Sequence, residues 1–139
     1  MRKFTVIRTN RGVIAVELAL LSTLLALVLA AAVHFGAAWR VQHLLENAAH
    51  EAARVATVTP NLQLNDPVVL AVVDDILLDA GIPAGTYNSR VQFATPLLWG
   101  NPVTVQITHR FRSALGLGVD FTLHASSVMR YARFVREKA

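Results

Sequence analysis

The chain has 139 residues, of which 54% are apolar and only 16% charged, and its formal net charge is +4. Soluble domains average roughly 45 to 50% apolar and about 25% charged residues, so part of this chain belongs outside water, and the same composition excludes disorder. Cys is absent, which excludes a disulfide framework, a cysteine-ligated zinc and a thiol nucleophile.

The positive charge is concentrated at the start, where Arg2, Lys3, Arg8 and Arg11 precede Gly12 with no acidic residue among them. From Val13 to Trp39 the only side chain ionised at neutral pH is Glu17, and Leu and Ala, both good helix formers, dominate the run from Leu18 onward. A helix needs roughly 20 residues to cross a hydrocarbon core of about 30 Å, so residues 18–39 are long enough to span a bilayer. Four cations lie before this segment and only Arg40 lies close behind it. The positive-inside bias therefore keeps the N-terminus in the cytoplasm and sends the C-terminal part across the membrane in a single pass.

Glu17 is the anomaly in that segment. An ionised carboxylate costs roughly 2.5 to 3.5 kcal/mol at the centre of a spanning helix and less near the interface. One account is that Glu17 faces the headgroups and complements the positive end of the helix dipole. A second rests on position, because Val13, Ile14, Ala15 and Val16 separate Gly12 from Glu17, and a cut after Gly12 would make Glu17 the fifth residue of a new chain.

A short basic leader, Gly, four apolar residues, Glu and a long apolar helix together resemble the class III signal of type IV pilins and pseudopilins. The resemblance implies a membrane-embedded aspartyl prepilin peptidase that cuts between Gly12 and Val13 on the cytoplasmic side. It also implies that Glu17 meets the N-terminal amine of a neighbouring subunit. Physically, an ammonium and a carboxylate buried together compensate one another, whereas either alone is an unpaired charge in an apolar bundle. Two rivals compete for these residues. A secretory signal peptide could use Ala30-Ala31-Ala32 for cleavage, but its apolar region runs roughly 7 to 15 residues and carries no charge. A plain uncut anchor leaves the Gly12 to Glu17 spacing as coincidence.

After Arg40, Val41, Leu44, Leu45, Ala48, Ala49, Ala52, Val55 and Ala56 recur at spacings of three and four, against His43, Glu46, Asn47, His50 and Arg54. This amphipathic pattern predicts that the helix continues unbroken from Val13 to about Thr57, a length of about 65 to 70 Å. The stretch Glu46 to Ala56, following the Val16-Glu17-Leu18 opening, resembles the alanine-rich segment behind the membrane helix of TadE-like proteins. Those are minor pilins or pseudopilins of the tight-adherence (Flp) pilus machinery. The resemblance covers roughly Arg11 to Ala56, with His50, Val55 and Leu18 departing from the residues common at those places.

His43, Glu46 and His50 share a helical face at metal-ligand spacing, but no second cluster supplies the remaining ligands, and a solvated face explains them better. No metal site is assigned. Glu51 and Arg54, three apart, form at most a weak exposed pair.

Pro60 and the polar residues 61–65 end the long helix. A second helix follows, with Asn65 or Asp66 as cap, Pro67 in the first turn, and Gly81 and Pro83 as stops. Its Asp74 and Asp75 point about 100° apart and have no phosphate-cradling loop beside them, so they form a solvated face rather than an acid/base pair. Alternating patterns then predict strands over Tyr87 to Ala94, Val103 to Phe111 and Val119 to Ala125. The short turn at Gly116-Leu117-Gly118 makes the last two antiparallel. Two surface features remain. The apolar loop from Thr95 to Pro102 is either a contact surface or a plug for its own core. Arg130, Arg133, Arg136 and Lys138 form a basic tail that fits a solubilising C-terminus better than nucleic-acid binding.

The expected class is α+β: a long N-terminal transmembrane helix, a second short helix, and a three-stranded antiparallel sheet packed on the helices. The expected organisation is a leader over residues 1–12, the long helix over 13–57, and a small extracytoplasmic head over 58–139. The resemblance implies a structural minor pilin or pseudopilin of the bacterial inner membrane. Its implied partners are a prepilin peptidase, other pilin subunits, the pilus assembly platform and inner-membrane lipid, with no nucleic acid. Neither catalytic residues nor a cofactor are expected. The alternative is a bitopic envelope protein whose outer domain binds a ligand or partner without entering a filament.

Overall fold

The computed structural model describes residues 11–112 and 120–132. The leader up to Asn10, Val119 and the predicted Gly116-Leu117-Gly118 turn, and the tail residues Arg133, Arg136 and Lys138 lie outside them. Five elements follow in order: α1 (Arg11–Val58), α2 (Pro67–Asp79), β1 (Tyr87–Phe93), β2 (Pro102–Phe111) and β3 (Phe121–Arg130). The class is the predicted α+β one, and the strands form one antiparallel sheet in the order β1-β2-β3. The chain divides into two compact units, one ending at Gly36 and the other beginning at Ala37.

In the first unit, the side chains from Val13 to Phe35 have no core to enter, and the apolar residues Leu18, Leu24, Leu29 and Val33 are all exposed. This is the stretch of α1 that is long and apolar enough to cross a membrane. Its few hydroxyls are satisfied locally: Ser22 Oγ donates to the Ala19 carbonyl at 3.0 Å and Thr23 Oγ1 to the same carbonyl at 2.8 Å. Such back-bonding lets Ser and Thr reside in hydrocarbon, where no water can take their protons.

The second unit holds the core. On α1, Leu45, Ala48, Ala49, Ala52, Ala53 and Ala56 are fully buried. The predicted apolar stripe therefore holds, with two adjustments: Ala53 also belongs to it, and Val41, Leu44 and Val55 lie only half-buried at its margin. Alanine is the natural residue here because a small side chain lets other elements approach the helix closely while it retains high helix propensity. From α2, Val69, Val73 and Leu77 enter the same core, and from the sheet Val91, Val103, Val105, Ile107 and Ala125.

Both ends of α2 follow from their sequence. Asp66 caps the start, its carboxylate accepting from the Val68 N–H at 3.0 Å and from the Gln63 N–H at 3.2 Å, with Pro67 next in the first turn. At the other end Gly81 adopts φ 82°, and the N–H groups of Gly81 and Ile82 return to the carbonyls of Leu78 and Leu77 at 2.9 and 2.8 Å. This is a Schellman stop, and the core contact of Ile82 with its last turn accompanies it. Asn65, the other candidate cap, has a different use. Held at φ 54°, it donates its N–H to the Val91 carbonyl at 3.3 Å and accepts the Val91 N–H on its side-chain oxygen at 3.1 Å. It thereby satisfies the outer edge of β1.

The third strand is longer than its alternation predicts, running to Arg130 instead of ending at Ala125. Its register with β2 carries it on, pairing Ser127 with Val105 and Met129 with Val103. Arg130, predicted to open the tail, is thus the last residue of a strand. The remaining boundaries shift by one or two residues.

Candidate assembly surface

The candidate functional surface is the sum of what the described fold leaves uncovered. The first component is the apolar helix. Gly12 and Glu17 are both exposed on α1, and a Cβ built on Gly12 meets no atom within 4 Å. Packing therefore places no demand for glycine at position 12. Among the described residues no ion pair engages Glu17, which stands in a turn of otherwise apolar side chains.

The second component is the outer side of the α1 extension. His43, Glu46, Asn47, His50 and Arg54 are exposed, as the helical spacing predicts. Glu46 is occupied by neighbours, accepting from Gln42 Nε2 at 2.8 Å and lying 3.4 Å from His43 Nδ1. The predicted Glu51–Arg54 pair forms at 2.9 Å. Among the described residues no three His, Asp or Glu side chains converge to hold a metal ion. Gln42 also donates from the same amide to the His124 carbonyl of β3 at 2.9 Å, which occupies a group on an otherwise open sheet edge.

The third component is the apolar loop, which divides its residues between both predicted roles. Leu97 packs against the core, while Leu98 and Trp99 point outward, Trp99 at 77% exposure. The loop is pinned to the chain's last described residues by the Gly100 N–H on the Tyr131 carbonyl and the Tyr131 N–H on the Asn101 carbonyl, at 3.0 and 2.9 Å. Tyr131 Oη in turn donates to the Thr59 carbonyl at 3.0 Å, joining the loop to the end of α1. Sequence reasoning gave Tyr131 no role, since its partners are brought together only by the fold.

On α2, Asp74 and Asp75 are both exposed. Asp74 accepts from Tyr87 Oη at 2.8 Å. Partial burial first, and then this bond and the carboxylate's charge, push the Tyr87 phenol up to about 12. His109 of β2 is a buried polar residue whose Nδ1 lies 2.9 Å from the Thr86 carbonyl, so it anchors the loop before β1. These polar contacts are structural.

The family model described as TadE-like protein matches residues 12–54, the apolar helix and most of its alanine-rich extension. Over this segment the chain is similar to TadE-like proteins. No curated protein and no solved structure matches the chain.

Proposed function

We propose that the chain is a minor pilin or pseudopilin of a Tad/Flp-type pilus, made as a precursor and assembled through its N-terminal helix. The observation that carries this reading is an apolar helix whose side chains have no core of their own, with one carboxylate at Glu17 and the TadE-like match beginning at Gly12. A prepilin peptidase hydrolyses the Gly12–Val13 peptide bond on the cytoplasmic side. Gly12 leaves with the leader as a carboxylate, and Val13 becomes an N-terminal ammonium. Until assembly the helix resides in the inner membrane with its N-terminus cytoplasmic and the head outside. On extraction, the surface from Leu18 to Trp39 is buried against neighbouring helices, and Glu17 pairs with the ammonium of an adjacent subunit.

The energetics favour this sequence of events. In lipid near the interface, Glu17 costs only part of the roughly 2.5 to 3.5 kcal/mol of a central charge. Inside a bundle it would cost more unless paired, so the pairing both permits burial and fixes the stagger of adjacent helices. Replacing Glu17 by Ala is expected to leave membrane insertion unchanged and to reduce incorporation into the pilus. Normal piliation with the Glu17→Ala chain, measured as its amount in sheared filaments against its amount in membranes, overturns the mechanism.

A further inference from the structure

The head is nearly neutral in sum, yet among its described residues the charges are unevenly divided between the layers. Among the described residues after α2, Asp120 is the sole acid, while Arg90, Arg110, Arg112 and Arg130 all lie on or beside the sheet. Val91, Val103, Val105, Ile107 and Ala125 face the core, so the alternate residues Arg90, Gln106, Arg110, Ser126 and Arg130 form the opposite, uncovered face. Asp120 offsets part of this charge, with its carboxylate 3.2 Å from Arg110 and 3.9 Å from Arg112.

The helix layer has the reverse balance. On α2 the buried residues are Val69, Val73 and Leu77, and Ala71, Asp74, Asp75, Leu78 and Asp79 are exposed on the other side with no cation among them. Of the two arginines of this layer within the α1 extension, Arg54 is held by Glu51 at 2.9 Å and Arg40 lies at its start, so the acids Glu46, Glu51, Asp74, Asp75 and Asp79 outnumber them. Because α2 enters the core from one side of the sheet, its acidic side and the basic sheet face look in opposite directions.

A surface with complementary charges on opposite sides of one molecule makes head-to-tail contacts, which repeat into a filament instead of closing into a dimer. We infer that neighbouring copies of this chain stack through their heads, the Arg90/Arg130 sheet face of one lying on the Asp75/Asp79 side of α2 in the next. The stack deepens the proposed pilin role and rests on it. The apolar helices supply the bulk of association, and the charges choose which head faces meet. An α2 of thirteen residues is about 20 Å long and the ten-residue strands β2 and β3 somewhat over 30 Å, so the helix fits within the sheet face. Exposed Leu78 and Val128 lie on the two surfaces to exclude water between the charges.

The absence of cysteine makes the contact directly testable by disulfide trapping of the full chain in membranes. One copy carries Ala71→Cys on α2, and a second, distinguished by a tag, carries Gln106→Cys on the sheet. The expected product is the mixed dimer, several-fold more abundant than either same-site dimer. Arg90→Asp with Arg130→Asp on the sheet-labelled copy should lower its yield at least five-fold, and Asp75→Arg with Asp79→Arg on the helix-labelled copy should restore it. Asp74 is left in place because it holds Tyr87. Equal yields of mixed and same-site dimers, no response to charge reversal, or loss without rescue each overturn the stack. If trapping fails while pilus incorporation still depends on Glu17, the stack is wrong and the pilin role stands. If trapping succeeds in a chain that incorporates without Glu17, the stack stands and the Glu17 mechanism is wrong.

Discussion

At the scale of single residues, the polar groups of the head divide into those that hold the fold and those left for contact. Tyr87 and Asp74 belong to the first group, and their bond makes a pH-dependent contribution whose sign follows from the raised phenol. The folded form keeps its proton up to about 12, against 10.0 for a free tyrosine. The stabilisation is therefore complete below pH 10 and is lost as pH rises from there through about 12, because the unfolded chain ionises first. In a Tyr131→Phe chain in detergent, phenolate absorbance should rise with a midpoint near 12, and adding Asp74→Asn should lower that midpoint. A midpoint unmoved by Asp74→Asn removes the carboxylate from the account. Glu17, on the apolar helix and outside the head, was visible in sequence, because a lone charge in an apolar run is conspicuous without coordinates. Asn65 was not. Its bond to Val91 depends on where β1 comes to lie, and no local pattern encodes that placement.

Among the elements, α1 is the most legible, since a 3.6-residue period over several turns leaves few alternatives for Leu45, Ala48, Ala49, Ala52 and Ala56. The packing it implies is tight enough to test. Ala52 is fully buried, and Ala52→Leu should destabilise the head by about 1–3 kcal/mol through overpacking, whereas Asn47→Leu on the exposed side should stay within about 0.5 kcal/mol. Equal thermal shifts for the two would deny the close approach that the alanines permit. The α2 cap is similarly open to experiment: Asp66→Ala should cost about 1–2 kcal/mol and Asp66→Asn less, because Ala removes the acceptors for both Val68 and Gln63 while Asn keeps an oxygen for the Val68 N–H and loses only the one that accepts from Gln63. The end of β3 was hidden for a physical reason. At the sheet edge Ser127 and Met129 are only half-buried on the inner side and Val128 is exposed on the outer, so the contrast between faces disappears while the pairing with β2 continues.

For the whole molecule, the net charge describes neither of its parts. Thirteen basic residues face nine acidic ones, and removing Arg2, Lys3, Arg8 and Arg11 leaves nine against nine, so the surplus of +4 belongs to the segment before Gly12. The remainder is balanced in sum, and among the described residues of the second unit the acids lie mostly on the helices and the arginines mostly on or beside the sheet. In the proposed role the basic leader sets orientation in the membrane, and the charges of the head act when copies meet. A Cβ built at position 12 meets no atom within 4 Å, so the described fold leaves room for a larger side chain there. A Gly12→Phe chain should accordingly insert in the membrane and melt like the wild type, yet retain its leader and fail to enter filaments. Intact mass separates the outcomes. The wild-type chain should begin at Val13 and the variant at Met1. A wild-type mass beginning at Met1 would leave the leader as a plain anchor, one beginning near Val33 would reassign the helix as a secretory signal, and a variant still cut at Val13 would deny that glycine directs the cut.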